Sequence, residues 1–234
     1  MKRTSYILVY ETGKINLVEA CLRKAELLLW DECCPRRALQ MLQKMLDICD
    51  DSMAHLHCLA VTSTVLQLRI LLLKATIFTE TKCYLEAFKV LQKALALVMD
   101  HPNELWRAKV QLQLAYVWMG LKELQQARNT LDVCFPVLCG SEYPMEQARA
   151  WFLEGLLNEG SSTDKEGTNS AVECYEQALQ FFSVCTSVTM MMSCLYRIAI
   201  LHDKTGDIRK RDQFSTIFTN LCEKYPHVDK TRSL

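Results

Sequence analysis

The sequence predicts an all-α protein, an α-α superhelix in which about five helix pairs stack as a right-handed solenoid. Three observations point there. Apolar residues recur at helical spacing through most of the chain, and no convincing alternating strand interrupts them. Only five prolines and seven glycines punctuate 234 residues, with Pro35 and Pro144 placed as first-turn prolines and Pro226 just past a last helix. A pattern of small and large residues also returns about every forty residues.

In chain order, the first pair is expected at 15–30 and 35–49, a degenerate copy marked by Ala38, Leu42 and Met45. The second, at 52–79 and 83–98, carries Leu71, Ala75, Phe78, Tyr84, Ala87, Leu91 and Ala94. Forty residues on, Gln111, Ala115, Trp118, Leu124, Ala127, Leu131 and Cys134 keep the same offsets, giving helices at 104–119 and 122–138. The fourth, at 144–158 and 168–183, holds Trp151, Gly155, Ala171, Tyr175 and Ala178 around a longer connection. The fifth, at 187–204 and 207–224, reads Leu195, Ala199, Gly206, Ile208 and Phe218. Small residues at Ala75, Ala115, Gly155 and Ala199 let paired helices approach, and Ala87 and Ala127 should be buried where they touch. One pair cannot cover its own apolar face, so neighbours must stack. The offsets resemble the tetratricopeptide repeat, whose usual period of about 34 residues is lengthened here.

The repeat array is expected over 15–226, between weakly determined tails at 1–14 and 227–234. Ser161 to Ser170 is polar and rich in small residues, which predicts a mobile surface loop. The chain reads as a fragment lacking earlier repeats, and Leu22, Leu27, Leu42 and Leu46 should then leave an apolar face uncovered on the first pair.

Composition narrows function. Lys+Arg and Asp+Glu are equal at 27 each, which argues against a nucleic-acid partner. The most apolar stretches, Val65 to Phe78 and Val188 to Leu201, fall short of a membrane span and contain Arg69, Lys74 and Arg197. With no export signal, the protein is expected in the cytosol or nucleus, with its twelve cysteines reduced. None forms a Cys-x-x-Cys pair, so they read as small apolar packers, not zinc ligands. His55 and His57 stand two apart and would face opposite sides of a helix, so with Cys58 they cannot converge on a metal. Asp203-Lys204-Thr205-Gly206 matches the phosphorylated-aspartate motif of cation pumps, but without an α/β domain it reads as a helix reversal relieved by glycine. His101, His202 and His227 are assigned to turns or tails, with no nucleophile elbow or phosphate loop to serve. These readings predict no enzyme, no cofactor, no metal and no small-molecule substrate.

The first helix of each pair lines the inner groove of such arrays. Counting the small residue as position eight, position five reads Leu72, Leu112, Phe152 and Tyr196, and position nine reads Thr76, Tyr116, Leu156 and Ile200. Position two reads Arg69, Lys109 and Arg149, each forty residues from the next, and then Ser193. One reading is a basic ladder that binds an acidic segment beside an apolar stripe. The other is solvated cations whose stems cover apolar surface. The candidate protein-binding residues are therefore Arg69, Leu72, Lys109, Leu112, Tyr116, Arg149, Phe152 and Tyr196.

Leu91 to Leu97, Leu112 to Ala127, Gln147 to Leu153, Ala171 to Phe182, Arg197 to Arg211 and the ending after Tyr225-Pro226 together resemble the C-terminal repeats of anaphase-promoting complex subunit 5, over roughly residues 15–226. The resemblance implies a nuclear and cytoplasmic, non-catalytic platform subunit of a cullin-RING ubiquitin ligase that controls the cell cycle, with other subunits of the ligase as partners. Members of that family carry an N-terminal helical domain and earlier repeats that this chain lacks. The alternative is a free repeat adaptor that binds short peptides of a partner protein.

Overall fold

The computed structural model describes residues 16–26, 28, 34–53, 60–99, 103–161 and 165–226, and these form helices joined by short turns, with no strand among them. None of the described helices is long and apolar enough to cross a membrane. The chain divides into two compact units, Met1–Leu121 and Lys122–Leu234.

The first unit contains α1 (residues 16–26), α2 (Pro35–Met53), α3 (Ala60–Glu80), α4 (Tyr84–Met99) and α5 (Glu104–Gly120). Pro35 opens α2, where a helix leaves its first N–H groups unpaired in any case. Asn103 caps α5 by accepting the Leu105 N–H at 2.9 Å. The α3 helix carries apolar residues on more than one face because it serves two cores. Leu66, Ile70 and Ile77 pack with Val18, Leu22, Ala25, Leu42 and Met45 of the first pair. Leu68, Leu71 and Ala75 pack with Ala87, Leu91 and Ala94 of α4 and with Val110 and Val117 of α5.

That arrangement corrects the expected uncovered face. Leu22 and Leu42 are fully buried in the core shared with α3, and Leu46 packs at its edge. The outer faces of α1 and α2 carry exposed Arg23, Lys24, Gln40, Gln43 and Lys44. Leu27 lies outside the described residues. So do 54–59, with His55, His57 and Cys58, and also His101, His227 and the two tails. The α2 helix continues to Met53 and α3 begins at Ala60, so the boundary expected near 50 lies further along.

The second unit contains α6 (Leu124–Cys139), α7 (Pro144–Ser161), α8 (Lys165–Val184), α9 (Val188–Thr205) and α10 (Ile208–Lys224). The expected loop over Ser161–Ser170 is mostly helix, since α7 ends at Ser161 and α8 starts at Lys165. Glu166 sits in the first turn of α8, where a negative charge suits the helix dipole. Burial of Ala171 and Tyr175 outweighs the poor intrinsic propensity of Gly167, Asn169 and Ser170. Tyr175 and α7 meet so closely that a Cβ on Gly155 would lie 2.7 Å from the tyrosine ring. Gly206 adopts φ 78°, and Asp207 caps α10 by accepting the Lys210 N–H at 3.1 Å. The Asp203–Gly206 tetrapeptide is thus a helix reversal.

The buried cysteines behave as packers. The nine cysteines whose side chains are described are free; Cys134, Cys174, Cys194 and Cys222 are buried, and Cys83 is exposed. Burial raises the Cys134 thiol to about 12 and the Cys174 thiol to about 11. No group among the described residues could hold a metal ion.

Candidate protein-binding site

In the first unit, the expected inner-face residues do not present one continuous surface. Arg69 donates to Glu19 of α1 at 2.9 Å, so its charge is already partnered inside the unit. Lys109 places its ammonium 5.0 Å from the Trp106 ring centroid, a cation–π arrangement on one helix face. Leu72 is half-buried at the edge of the α3–α4 core, Tyr116 is half-buried, and Leu112 is only 1% exposed.

In the second unit, Phe152 and Tyr196 are not one stripe. Phe152 is buried, with its ring 5.4 Å from Tyr175 and 6.3 Å from Phe182. Tyr196 is half-buried and turns to Phe218 of α10, at 6.2 Å. Arg149 is half-buried on α7. Leu112 and Phe152 therefore lie in the interiors of their units, and a covered side chain cannot also meet a partner. Arg69 and Lys109 belong to the first unit and Arg149 to the second.

Two polar clusters of the second unit were missed by the inner-face positions alone. In one, Glu159 of α7 accepts from Tyr175 Oη at 2.9 Å and from Arg197 of α9 at 3.0 Å, with Lys204 at 3.6 Å. The Arg197 guanidinium lies 5.9 Å from the Phe152 ring and 6.0 Å from the Tyr175 ring. Burial raises the Tyr175 phenol above its ordinary value, so it stays a neutral donor to Glu159. His202, expected in a turn, is buried in the last turn of α9 and stacks on Phe214 at 5.7 Å.

The other cluster lines an open groove of about 660 Å³. Asp132 and Phe135 come from α6, Trp151 and Glu154 from α7, and Glu173 and Cys174 from α8. The Phe135 and Trp151 rings meet edge to face at 4.9 Å. Arg128 of α6 pairs with Glu154 and donates to Asn158 Oδ1 at 2.6 Å. Asn158 in turn donates to Ser170 Oγ at 3.2 Å. Pro136 lies in the last turn of α6 and cannot give the Asp132 carbonyl its usual helical N–H. A sequence signal for this groove exists. Position eleven reads Phe78 and Trp118 in earlier copies but Asn158 here, and position seven is Glu154. Polar residues at filling positions mark a place where the interior is built differently.

The described helices are those of a tetratricopeptide-like repeat fold, one whose members are typically non-catalytic. BtubC (BKLC) from P. vanneervenii superposes with a TM-score of 0.58 at 12% identity, covering 92% of each chain. The nearly identical TPR-like repeats described for a kinesin light chain of Podosopora anserina give 0.55 at 12% identity, covering 90% of this chain and 97% of that one. A variant of the same repeats gives 0.51 at 15% identity, covering 91% and 97%. These likenesses establish the fold alone. No curated protein sequence matches the chain. Residues 27–228 match the family described as suppressor of spindle checkpoint defect 1 C-terminal domain. That match overturns the expected membership in the family of anaphase-promoting complex subunit 5. The stretches behind that expectation, such as Leu91 to Leu97 and Gln147 to Leu153, carry the alternation of small and large residues that any helix-pair array needs for packing. The chain belongs to the family of the suppressor of spindle checkpoint defect 1 C-terminal domain.

Proposed function

We propose that this chain is a non-catalytic scaffold that joins other proteins in the machinery of mitosis, acting in the nucleus and cytoplasm. The supporting observation is the family match over residues 27–228 on a repeat fold suited to protein–protein interaction. The family description concerns a spindle checkpoint defect, which supports a role in cell-cycle control. The finer reading makes the chain a component of a multi-subunit ubiquitin ligase, the anaphase-promoting complex, with other subunits of that assembly as partners. Neither a nucleic acid nor a membrane is required by this role.

Helix pairs favour such a role for a physical reason. Their apolar faces are consumed in stacking, so the outward helix faces can vary freely and contact several partners over a long surface. Lys109, Tyr116, Arg149 and Tyr196 are half-buried and supply the residues proposed to meet partners.

The test is affinity purification of the tagged chain from mitotic cells, followed by size fractionation. A scaffold subunit migrates with an assembly of megadalton scale that contains ubiquitin-ligase subunits, whereas a free adaptor elutes near its own mass. Elution near its own mass would sink the ligase reading.

A further inference from the structure

The two units place different charges at matched positions of the repeat. Lys74 of α3 and Glu154 of α7 each precede the small residue, Ala75 or Gly155. Gln43 of α2 and Asp132 of α6 each follow the leucine of an Ala-x3-Leu pattern, Ala38 to Leu42 and Ala127 to Leu131. Lys89 of α4 and Glu173 of α8 each stand two residues after the alanine that opens the pattern, Ala87 or Ala171.

In the first unit the gap between α2 and α3 is bridged from within. The Lys74 ammonium donates to Gln43 Oε1 at 2.8 Å, and Gln43 donates on to Asp47 at 3.1 Å. In the second unit both matched residues are acids, so they cannot bridge one another. Glu154 is neutralised by Arg128 instead. Asp132 and Glu173 remain on the α6 and α8 sides of the groove, with no ion pair among the described residues. The Phe135 and Trp151 rings line the same groove.

We propose that the groove between α6, α7 and α8 receives an arginine side chain carried on an extended basic segment of a partner protein. The cation fills the role that Lys74 fills in the first unit. Arginine fits better than lysine because a planar guanidinium stacks on an aromatic ring while its fork donates to carboxylates. Asp132 and Glu173 each offer a carboxylate that can accept from that fork, and Gln177 also lines the groove as a polar contact for the segment's backbone. A volume near 660 Å³ suits a few residues of extended chain, not a bare ion. The inference takes from the preceding section only that the chain binds proteins.

The experiment uses the full chain and fluorescein-labelled Gly/Ser peptides carrying two central arginines, two lysines or two citrullines. Anisotropy should show the arginine peptide binding more tightly than the lysine one, with the citrulline peptide weaker by about tenfold or more. Asp132→Lys with Glu173→Lys should lower arginine-peptide affinity by at least about tenfold. Both positions are exposed, so circular dichroism should report unchanged helicity. Lys74→Glu, in the other unit, should leave the affinity unchanged. In NMR titrations the Trp151 indole resonance, assigned with Trp151→Phe, should shift with the arginine peptide. Equal binding of arginine and citrulline peptides would overturn the proposal, as would full affinity in the double reversal or no binding of the arginine peptide. Failure of the scaffold reading is separate, because a chain that elutes alone from cell extract can still bind the peptide.

Discussion

The first and second units use one repeat plan and solve its interior differently. At position eleven the α3–α4 pair has Phe78, which packs against an all-apolar cluster of Leu68, Leu71, Ala87 and Leu91. The α7–α8 pair has Asn158, tied to Arg128 and Ser170, with Glu154 beside it. Apolar filling is tolerant of exchange as long as volume is kept. A satisfied polar network is less forgiving, since removing one member leaves the half-buried others without a partner. The second unit thus keeps an open, charged groove but depends on a few specific partners to hold its rim.

The largest expected effect separates the two units at position eight. Gly155→Ala should destabilise the protein by about 1–3 kcal/mol, because the added methyl meets the Tyr175 ring and not a flexible tip. The matched residue of the first unit is already Ala75, fully buried and accommodated, and Ala75→Gly should cost only about 1 kcal/mol. Urea unfolding of the two variants reads the difference. If Gly155→Ala is the milder of the pair, the close α7–α8 approach is wrong.

A smaller contrast lies at the rim cations. Arg128→Met should cost about 2 kcal/mol, since it leaves the half-buried Glu154 without its charged partner. Lys74→Met in the first unit should be close to neutral: its link to Gln43 is solvent-exposed, and burial, then Lys93, already lowers the lysine below its ordinary value. The double variant Arg128→Met with Glu154→Met should recover most of the loss, as replacing both partners of an ion pair often does. A double-mutant cycle that shows no coupling between Arg128 and Glu154 would remove the polar network from the account of this groove.

The smallest effect concerns acidity. His202 occupies position eleven of the last pair, and its imidazole is held below the usual 6.5, first by burial and then by Lys210, against the weaker pull of the Asp207 and Glu176 carboxylates. As pH falls below 6.5 the unfolded chain takes up this proton before the folded one, so stability falls with pH through that range. Above 6.5 both states are neutral there and the contribution is flat. The matched Phe78 of the first unit does not titrate, so His202→Phe should flatten this part of the pH dependence. Unfolding midpoints at neutral pH and at about pH 5.5 would show it. An unchanged pH slope in the variant would relocate the dependence to other groups.

Local pattern settled much of this protein. Helical periodicity and proline placement gave most boundaries to within a few residues, and the forty-residue offsets placed Ala75, Ala115, Ala87 and Ala127 in the interior, where they are fully buried. Gly206 was legible as a reversal because only a few residue types accept a left-handed backbone easily. These features depend on neighbours within a turn or two. The helical start of α8 was missed because its polar residues gain their order from the packing of Ala171 and Tyr175, which composition does not display.

The candidate binding surface was less legible, for a reason of distance along the chain. Arg69 finds Glu19 fifty residues away, Arg197 finds Glu159 thirty-eight away, and Arg128 reaches Glu154 across twenty-six. Each pairing is fixed by how helices pack and rotate against one another, not by the spacing within any one helix. The same packing covers Leu112 and Phe152, which equal spacing had grouped with half-exposed Leu72 and Tyr196. Sequence by itself determined which positions repeat; tertiary structure decided which of them meet solvent, because exposure depends on what the next helix places above each side chain.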